Sequence, residues 1–351
     1  MMEKADILSM NKDEICDFLT SLGKAKFRGK QVFKQLHGRK RTSFDEMTDL
    51  SLSLREKLKE TSGIFGVKTV EKYKSSLDST IKYLFEIRNG YIIESVLMKY
   101  DYGYSVCVST QAGCRMGCAF CASTIGGLER SLTAGEILSQ VYEIERQENI
   151  RVGHVVMMGC GEPLDNFDSS VRFISLLSDP EGSNVSRRNI TLSTCGLVDE
   201  IYRLKDLHLP ITLAVSLHAP NNEIRQKIMP AARKYSYDDV IKAAADYAEG
   251  TKRRVTFEYA LIKGVNDSEK AAYELAGRLK GVLGHVNLIP VNDVKERNFL
   301  RSSDSGVKKF SSILTAEGIE NTVRRRLGSD INAACGQLRK RHKNNSEVKT
   351  L

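Results

Sequence analysis

Three cysteines stand close together in the stretch Gly113-Cys114-Arg115-Met116-Gly117-Cys118-Ala119-Phe120-Cys121, with the spacing C-x3-C-x2-C. Cysteine thiolates are the usual protein ligands of iron–sulfur clusters. Three thiolates can hold three irons of a cubane cluster and leave the fourth iron open to a substrate or a second cofactor. A tetrahedral zinc site is the main alternative, but it needs a fourth Cys or His, and the nearest histidine downstream is His154. The loop is therefore the predicted centre of the chemistry.

Strand-like and helix-like segments alternate along residues 104–330. The predicted strands are Ser105–Ser109, His154–Met158, Asn189–Ser193, Ile211–Ser216, Arg254–Leu261, Val286–Ile289 and Asn321–Arg325. The predicted helices are Thr133–Arg146, Asp168–Leu177, Val198–Leu204, Tyr237–Tyr247, Ser268–Leu279 and Asp304–Ala316. This alternation predicts an α/β fold in which a parallel sheet carries its helices outside, as a partial (β/α)6-type barrel. Functional residues of such barrels gather at the carboxyl ends of the strands. The candidates in or just past those ends are Cys107, Gly161, Glu162, Ser193, Ser216 and Asn292.

Three further segments complete the predicted organisation. Residues 1–65 contain helical periodicity, as in the basic amphipathic stretch Phe27–Leu36, and predict a small N-terminal helical accessory domain. Residues 66–103 alternate apolar and polar side chains around an Asn89-Gly90 turn and predict a β-rich extension. The barrel is expected at residues 104–330, and residues 331–351 form a C-terminal segment that ends in a basic tail.

Charge and composition indicate which partners and which cellular compartment the protein can have. The 351 residues include 53 Lys and Arg against 44 Asp and Glu, which gives a net charge of +9. The excess is concentrated in the clusters Lys24–Arg41, Arg324–Arg326 and Arg339–Lys343. Such clusters are either solvated surfaces or contacts to nucleic-acid phosphates. There is no signal-peptide pattern, and no apolar run approaches the roughly 20 residues of a membrane helix, so we expect a cytoplasmic protein that does not enter a membrane.

The cysteine loop at the start of a partial barrel resembles the radical S-adenosylmethionine (SAM) enzymes. Six longer strings make the resemblance specific to the RlmN family and extend it over nearly the whole chain. They are Cys107–Cys114 (CVSTQAGC), Gly159–Asn166 (GCGEPLDN), Leu192–Thr194 (LST), Ser216–Pro220 (SLHAP), Asn287–Pro290 (NLIP) and Asp330–Leu338 (DINAACGQL). Members of that family methylate C2 of one adenosine in 23S rRNA and of one in certain tRNAs.

The resemblance implies a cofactor site that is assembled from several strand ends. Cys114, Cys118 and Cys121 would ligate one [4Fe–4S] cluster, whose open iron binds SAM. Gly161 and Glu162 would hold the amino end of SAM. The remaining contacts to SAM would come from Ser193, Ser216, Leu217, His218 and Asn292.

Two other cysteines and one carboxylate would carry the methyl transfer. C2 of adenine is electrophilic and does not attack the electrophilic methyl group of SAM, so the resemblance implies a route with two SAM molecules per turnover. The first methylates Cys335, and the second gives a 5′-deoxyadenosyl radical that takes a hydrogen atom from the S-methyl group. The resulting methylene radical adds to C2, and a transient Cys107–Cys335 disulfide releases the product. Glu94 matches the family's proton acceptor; a strand-edge surface charge is an equal interpretation of this residue, and Cys107 is another candidate base.

The expected partners are 23S rRNA, tRNA and a flavodoxin-like electron donor, with the protein acting as a monomer. We interpret the N-terminal accessory domain (residues 1–65) and the basic tail as its RNA-docking surfaces. The sequence departs from the family pattern at two places. Cys160 stands where the family usually has Met, and we expect an ordinary packing substitution there. The loop Asp293-Val294-Lys295-Glu296-Arg297 replaces a more usual Pro-containing loop that can touch RNA.

Two other functions fit parts of the sequence. Enzymes of the Cfr type share this chemistry but methylate C8 of the rRNA adenosine. A non-enzymatic iron–sulfur protein that binds RNA would use the cluster without Cys335. The Gly-Glu-Pro-Leu and Asn-Leu-Ile-Pro strings favour C2 methylation over the C8 reaction.

We expect rRNA and tRNA incubated anaerobically with the reconstituted protein, SAM and a reductant to gain 2-methyladenosine. Digestion to nucleosides and mass spectrometry against 2-methyladenosine and 8-methyladenosine standards identifies the product. Formation of 8-methyladenosine without 2-methyladenosine would assign the C8 reaction instead.

Overall fold

The structure is a computed structural model that describes residues 4–292, 294 and 296–338 and the backbone of residues 341–342. Asp293 and Lys295 of the altered loop lie outside the described residues. The basic tail from Arg339 onward also lies outside them, except for the backbone of two residues. In the part of the chain that is described, no helix combines the length and the apolar character needed to cross a membrane.

The N-terminal segment is mainly helical, as predicted. In chain order its elements are β1 (Ala5–Asp6), α1 (Lys12–Ser21), α2 (Phe27–Phe33), α3 (Leu52–Thr61) and β2 (Ser62–Gly63). Helix α1 begins at a capping box, in which Asn11 Oδ1 accepts from the Glu14 N–H (2.9 Å) and the Asn11 N–H donates to Glu14 Oε2 (2.8 Å). The short strands β1 and β2 pair in parallel and bring the two ends of the segment together.

The following strands form an antiparallel edge of the main sheet. They are β3 (Lys68–Lys74), β4 (Ile81–Glu86), β5 (Tyr91–Tyr100) and β6 (Gly103–Cys107), and each pairs with the next. Asn89 and Gly90 take the positive φ angles of +67° and +77° between β4 and β5, so the predicted turn is confirmed. The β-rich extension therefore continues the sheet of the barrel through β6.

The barrel repeats strand and helix after a hairpin that holds the cysteine loop. Its elements are β7 (Gln111–Gly113), β8 (Leu128–Ser131), α4 (Ala134–Glu148), β9 (Val152–Met157), α5 (Phe167–Leu177), β10 (Ile190–Thr194), α6 (Val198–Asp206), β11 (Thr212–Ser216), α7 (Asn222–Ile228), α8 (Tyr237–Thr251), β12 (Val255–Leu261), α9 (Glu269–Leu279), β13 (Gly284–Pro290), α10 (Asp304–Ala316) and β14 (Asn321–Val323). A last strand, β15 (Arg341–His342), pairs with β5.

Parallel pairing runs through seven strands of the main sheet in the described residues. The strand order is β14-β13-β12-β11-β10-β9-β6-β5-β4-β3, and the pairs from β6 to β14 are parallel. A helix lies in each of the six connections between them, which confirms the predicted (β/α)6 pattern. The sequence did not predict helix α7 or the β7–β8 hairpin, because both are too short for a clear periodicity.

One hydrophobic core joins the N-terminal helices to the barrel. Ile7, Leu36 and Leu58 are fully buried in the same cluster as Leu138 of α4. The Gly135 N–H at the start of α4 donates to Ser9 Oγ (2.8 Å), which adds a polar contact to this interface. The two parts of the chain therefore depend on each other for burial of apolar surface.

We expect Gly29→Ala to destabilise the protein by about 1–3 kcal/mol, the usual cost of overpacking. A Cβ at Gly29 of α2 would lie 2.5 Å from the Cys16 Cα atom of α1, so the two helix backbones would have to separate. Gly277→Ala on α9 is the matched control, because its Cβ meets nothing within 4 Å. The control should gain about 0.5–1 kcal/mol of stability. Urea unfolding of both variants measures the change, and equal stabilities would contradict the close helix contact.

Candidate active site

The carboxyl ends of the barrel strands surround one pocket, which we call the first pocket. Its walls include Met157 of β9, Thr194 of β10, Ser216 of β11, Ala260 of β12 and Ile289 of β13. Residues of five successive strands can line one pocket only if the sheet curves around it, as in an open barrel. The first pocket lies at the barrel end where the sequence predicts the functional residues.

The three-cysteine loop closes one side of the first pocket. It joins β7 to β8, and Cys114, Cys118 and Cys121 all line the pocket. The Cys121 N–H donates to the Cys118 carbonyl oxygen (3.1 Å), which tightens the turn between the last two cysteines. Gly117 has φ +73°, and a Cβ there would lie 3.1 Å from the ring of Pro230. The loop needs glycine at this position to keep its three thiols on the pocket wall.

The chemistry of these thiols fits an iron–sulfur cluster. Burial raises the pKa of all three, that of Cys118 to about 12, and bound iron removes such protons because it stabilises the thiolates. Among the described residues, no three His, Cys, Asp or Glu side chains surround a single metal ion. A cubane binds each thiolate at a different iron and so spreads its ligands more widely than one zinc ion does. The donor set is therefore compatible with a [4Fe–4S] cluster.

Gly161 and Glu162 follow β9 and line the first pocket. Gly161 has φ +113°, and a Cβ there would lie 2.7 Å from the Cβ atom of Gln111. The Glu162 carboxylate accepts hydrogen bonds from the backbone N–H groups of Cys195 (2.7 Å) and Leu164 (3.0 Å). Burial raises the pKa of this carboxyl group, and the two N–H donors oppose the shift. A fixed carboxylate on the pocket wall can receive an ammonium group.

Four of the remaining predicted SAM contacts line the first pocket, namely Ser193, Ser216, His218 and Asn292. The Leu217 side chain is different, because it is fully buried in the hydrophobic core. Its backbone N–H donates to the Glu258 carbonyl oxygen (3.0 Å) on the neighbouring strand. Leu217 therefore holds its two neighbours in place by packing and a backbone hydrogen bond.

The His218 side chain is neutral, and one of its ring nitrogens can donate a hydrogen bond. The Ala260 N–H donates to His218 Nδ1 (2.9 Å), so the ring proton of the neutral form is on Nε2. Burial lowers the pKa of His218 to about 3. The ring of Phe120, from the cysteine loop, packs edge-on against it at 4.9 Å between centroids. His218 can thus offer an Nε2–H donor to a bound molecule without carrying a charge.

The segment that carries Cys335 is anchored on both sides. Before Cys335, the Asp330 carboxylate accepts from the Ser75 hydroxyl group (2.7 Å) in the connection between β3 and β4. After Cys335, the Gly336 carbonyl oxygen accepts from the Ala122 N–H (2.7 Å), next to the cysteine loop. These contacts place Cys335 between the antiparallel edge of the sheet and the predicted cluster ligands.

A second pocket adjoins the first. The two pockets share the lining residues Met158, Ile289, Asn292, Arg324 and Cys335. Cys107, the last residue of β6, lines the second pocket, and both it and Cys335 are free thiols. Burial raises the pKa of Cys107 to about 12, the charge of Cys335 adds to this shift, and the charge of Arg324 opposes it. The structure therefore brings the two cysteines of the predicted disulfide to one pocket.

Glu94 is buried in the interior of β5, so its interpretation as a surface charge at a strand edge is wrong. It is 1% exposed, and its Oε1 atom lies 3.9 Å from Lys82 Nζ. Val96, Met98 and Tyr100 alternate with it on the same strand face and line the second pocket. Glu94 is not among the described residues that line either pocket. It lies two residues before Val96, on the face of β5 that forms a wall of the second pocket.

Arg324 belongs to the wall between the pockets, whereas the sequence only groups it with a basic cluster. Its Nη1 atom lies 4.0 Å from Glu258 Oε2 and 3.6 Å from Met158 Sδ. The neighbouring charge of Cys335 is the largest cause that raises the pKa of Arg324. A sequence signal was present, because Glu258 interrupts the apolar strand Val255–Leu261 and a buried carboxylate needs a polar or charged partner.

Cys160 is fully buried and, among the described residues, lines neither pocket. Its N–H donates to Ser109 Oγ (2.9 Å). Burial raises the pKa of the Cys160 thiol to about 12, so this thiol is protonated at neutral pH. This buried position is in line with the expectation of an ordinary packing substitution.

Comparisons with known proteins identify the class of enzyme to which this site belongs. Residues 108–276 match the radical SAM superfamily, and residues 5–64 match the ribosomal RNA large subunit methyltransferase N-terminal domain. The crystal structure of a radical SAM methyltransferase from Sphaerobacter thermophilus is 41% identical in sequence and has a TM-score of 0.92. The match covers 96% of this chain and 99% of that one. The barrel, the three-cysteine loop and the SAM-type pocket define a radical SAM enzyme.

Relatives named probable dual-specificity RNA methyltransferase RlmN identify the family within the radical SAM enzymes. One from Alkaliphilus metalliredigens (strain QYMF) is 50% identical over 351 residues, which covers 100% of this chain and 99% of the relative. One from Alkaliphilus oremlandii (strain OhILAs) is 52% identical over 344 residues, which covers 98% and 100%. The chain belongs to the RlmN family of radical SAM RNA methyltransferases. Its cofactors are accordingly a [4Fe–4S] cluster and SAM.

We expect the protein to lose stability below pH 6.5 through His218. The pKa of His218 is 6.5 in the unfolded chain and about 3 in the fold, so between these values only the unfolded chain binds the proton. The free energy of unfolding should fall by about 2 kcal/mol from pH 7 to pH 5 because of this one group. Urea unfolding at the two pH values measures the effect.

His218→Asn should remove that part of the pH dependence. His208→Asn is the matched control, because His208 is exposed. Like His218, it has a positive φ (+48° for His208), a conformation that asparagine accepts. An unchanged pH dependence in His218→Asn would show that the buried ring does not stay neutral in the fold.

Proposed function

We propose that the protein methylates C2 of a specific adenosine in 23S rRNA and in certain tRNAs, with Cys335 as the methyl carrier. The observation that carries this proposal is the position of Cys335 between the two pockets. The first pocket contains the cysteine loop and the polar strand ends, and the second contains Cys107. A thiol at this boundary can accept a methyl group on one side and deliver it on the other.

The first pocket is the proposed cofactor site. Cys114, Cys118 and Cys121 ligate the cluster, and Glu162, with Gly161 beside it, receives the amino end of SAM. The other proposed contacts to SAM are Ser193, Ser216, His218 and Asn292, while Leu217 supports them from the core. When bound, the cluster supplies the electron that cleaves SAM to a 5′-deoxyadenosyl radical.

Cys335 first acts as a nucleophile and then as a carbon donor. Its thiolate takes the methyl group of one SAM molecule, and S-adenosylhomocysteine leaves. The guanidinium group of Arg324 lies in the same shared wall as this sulfur. The S-methyl group then gives up a hydrogen atom to the radical from the second SAM molecule, and the resulting methylene carbon bonds to C2 of adenine.

Release of the product requires that the adduct radical loses one electron, which the oxidised cluster would accept when bound, that the C2 proton leaves and that the carbon–sulfur bond breaks. We assign the proton to Glu94, which lies on the strand face that lines the second pocket; Cys107, which lines that pocket directly, is the second candidate base. The Cys107 thiolate attacks the sulfur of Cys335, the carbon–sulfur bond breaks with its electron pair on the carbon, and that carbon takes up a proton to become the methyl group of the RNA. The product of this step is a Cys107–Cys335 disulfide, which must be reduced before the next turnover.

Three features of the cellular context complete the proposal. The electron donor is a flavodoxin-like protein, the enzyme acts as a monomer, and it works in the cytoplasm. The family's RNA substrates support the last assignment.

We expect Cys107→Ala to trap a covalent adduct between the protein and RNA. The variant can still methylate Cys335 and add the carbon to adenine, but it lacks the thiol that breaks the carbon–sulfur bond. A denaturing gel of labelled RNA, after an anaerobic reaction with SAM and reductant, should show a shifted band with less than one turnover. Cys335→Ala is the matched control and should give neither adduct nor product. Full turnover by Cys335→Ala would contradict the carrier mechanism.

A further inference from the structure

Two tyrosines form a stacked pair beside the second pocket. The rings of Tyr100 and Tyr102 are nearly parallel, with an angle of 9° and 4.9 Å between their centroids. Tyr100 lines the second pocket, while Tyr102 is 62% exposed. The stack therefore runs from the pocket wall out to the protein surface.

A rigid turn presents Tyr102 to solvent. Tyr100 pairs with Gly103 at the end of β5 and the start of β6, so the loop between them consists of Asp101 and Tyr102 alone. Gly103 takes φ +116°, which a tight turn of this kind permits only to glycine. The ring of His154 also packs against Tyr102, at 4.6 Å between centroids. An aromatic side chain held in this way loses little conformational entropy when it binds a flat ligand.

Positive charge lies next to the tyrosine stack. Arg325 and Arg326 are exposed and line the second pocket. No carboxylate of the described residues forms an ion pair with either of them, whereas their neighbour Arg324 pairs with the buried Glu258. The turn that carries Tyr102 contributes one acidic residue, Asp101. Two unpaired guanidinium groups can bind phosphates without first breaking an ion pair.

The chemistry of this surface matches single-stranded RNA. Aromatic rings bind unpaired bases by stacking, and arginines bind the phosphates of the same strand. An adenosine that reaches Cys335 must leave its own stack, which separates it from its neighbours in the strand. An exposed ring at the mouth of the pocket can replace one of these lost stacking contacts.

We propose that Tyr102, supported by Tyr100, stacks on a nucleobase next to the target adenosine, while Arg325 and Arg326 bind the backbone phosphates on either side. This surface places the target base over the second pocket, beside Cys335 and Cys107. The inference rests on the proposed function, because it takes RNA as the substrate. It adds a binding surface made of residues other than those of the basic N-terminal cluster Lys24–Arg41.

The test compares the RNA affinity of full-length variants. Tyr102→Ala should bind a tRNA substrate roughly 5- to 150-fold more weakly, the range measured for the loss of one base stack. Tyr102→Phe should restore the affinity, since the ring and not the hydroxyl group makes the contact. Tyr273→Ala is the matched control. Tyr273 is also exposed (53%), but it belongs to helix α9 and not to the turn between β5 and β6. Wild-type affinity in Tyr102→Ala, or an equal loss in Tyr273→Ala, would overturn the proposal.

The two arginines have a separate signature. The double variant Arg325→Gln/Arg326→Gln should lower the slope of log affinity against log salt by about 1.4, or about 0.7 for each lost contact to a single strand. The double variant Lys270→Gln/Lys280→Gln removes the same charge from exposed positions in α9 and just after it, and it should leave the slope unchanged. An unchanged slope in the arginine variant would overturn the phosphate contacts.

Three outcomes separate this inference from its alternatives. If the wild-type protein fails to methylate RNA, the proposed function is wrong; if it methylates RNA and Tyr102→Ala still binds RNA as tightly, only the stacking surface is wrong. An acidic electron-donor protein is the other partner that the arginines could attract. Slower cluster reduction by such a donor in the arginine variant, with unchanged RNA affinity and salt slope, would assign the surface to that protein instead of RNA.

Discussion

The hydrogen bond from the Ala122 N–H to the Gly336 carbonyl oxygen is the contact on which the proposed site depends. It ties the segment of Cys335 to the end of the three-cysteine loop across more than two hundred residues of sequence. Asn292 adds a second tie by donating from Nδ2 to the Cys335 carbonyl oxygen (3.0 Å). The backbone carbonyl groups of Cys335 and of the next residue are therefore held, while the thiol itself borders both pockets. A methyl carrier needs this combination, because its sulfur has to meet two different reaction partners from one position.

The antiparallel strands contribute directly to this arrangement. The strand β5 supplies one wall of the second pocket and also holds Glu94, and β6 ends at Cys107. The connection between β3 and β4 anchors Asp330 ahead of Cys335. The β-rich extension is thus part of the proposed site, since without it the second pocket would lack a wall.

The barrel elements could be predicted from sequence because their burial follows a simple rule. Strands such as Ile211–Ser216 are continuous apolar runs between turn residues, and helices such as Asp304–Ala316 have a clear apolar period. The cysteine loop was equally clear, because its spacing is local. The positions of Glu94 and Arg324 were not predictable in the same way. Each is a charged residue whose partner, Lys82 or Glu258, is brought near by strand pairing or by the curvature of the sheet. The role of Leu217 was also hidden, since an apolar residue in a polar motif does not reveal whether its side chain or its backbone is used.

The buried pair of Lys82 and Glu94 links the proposed base to the proposed methyl carrier. Lys82 is 1% exposed, its ammonium group lies 3.9 Å from Glu94 Oε1, and it also donates to the Asn332 carbonyl oxygen (3.4 Å), three residues before Cys335. One buried cation therefore contacts both the strand that carries Glu94 and the segment that carries Cys335. Loss of this cation would remove a buried ion pair and one anchor of the Cys335 segment, so a single substitution would disturb two parts of the proposed site at once.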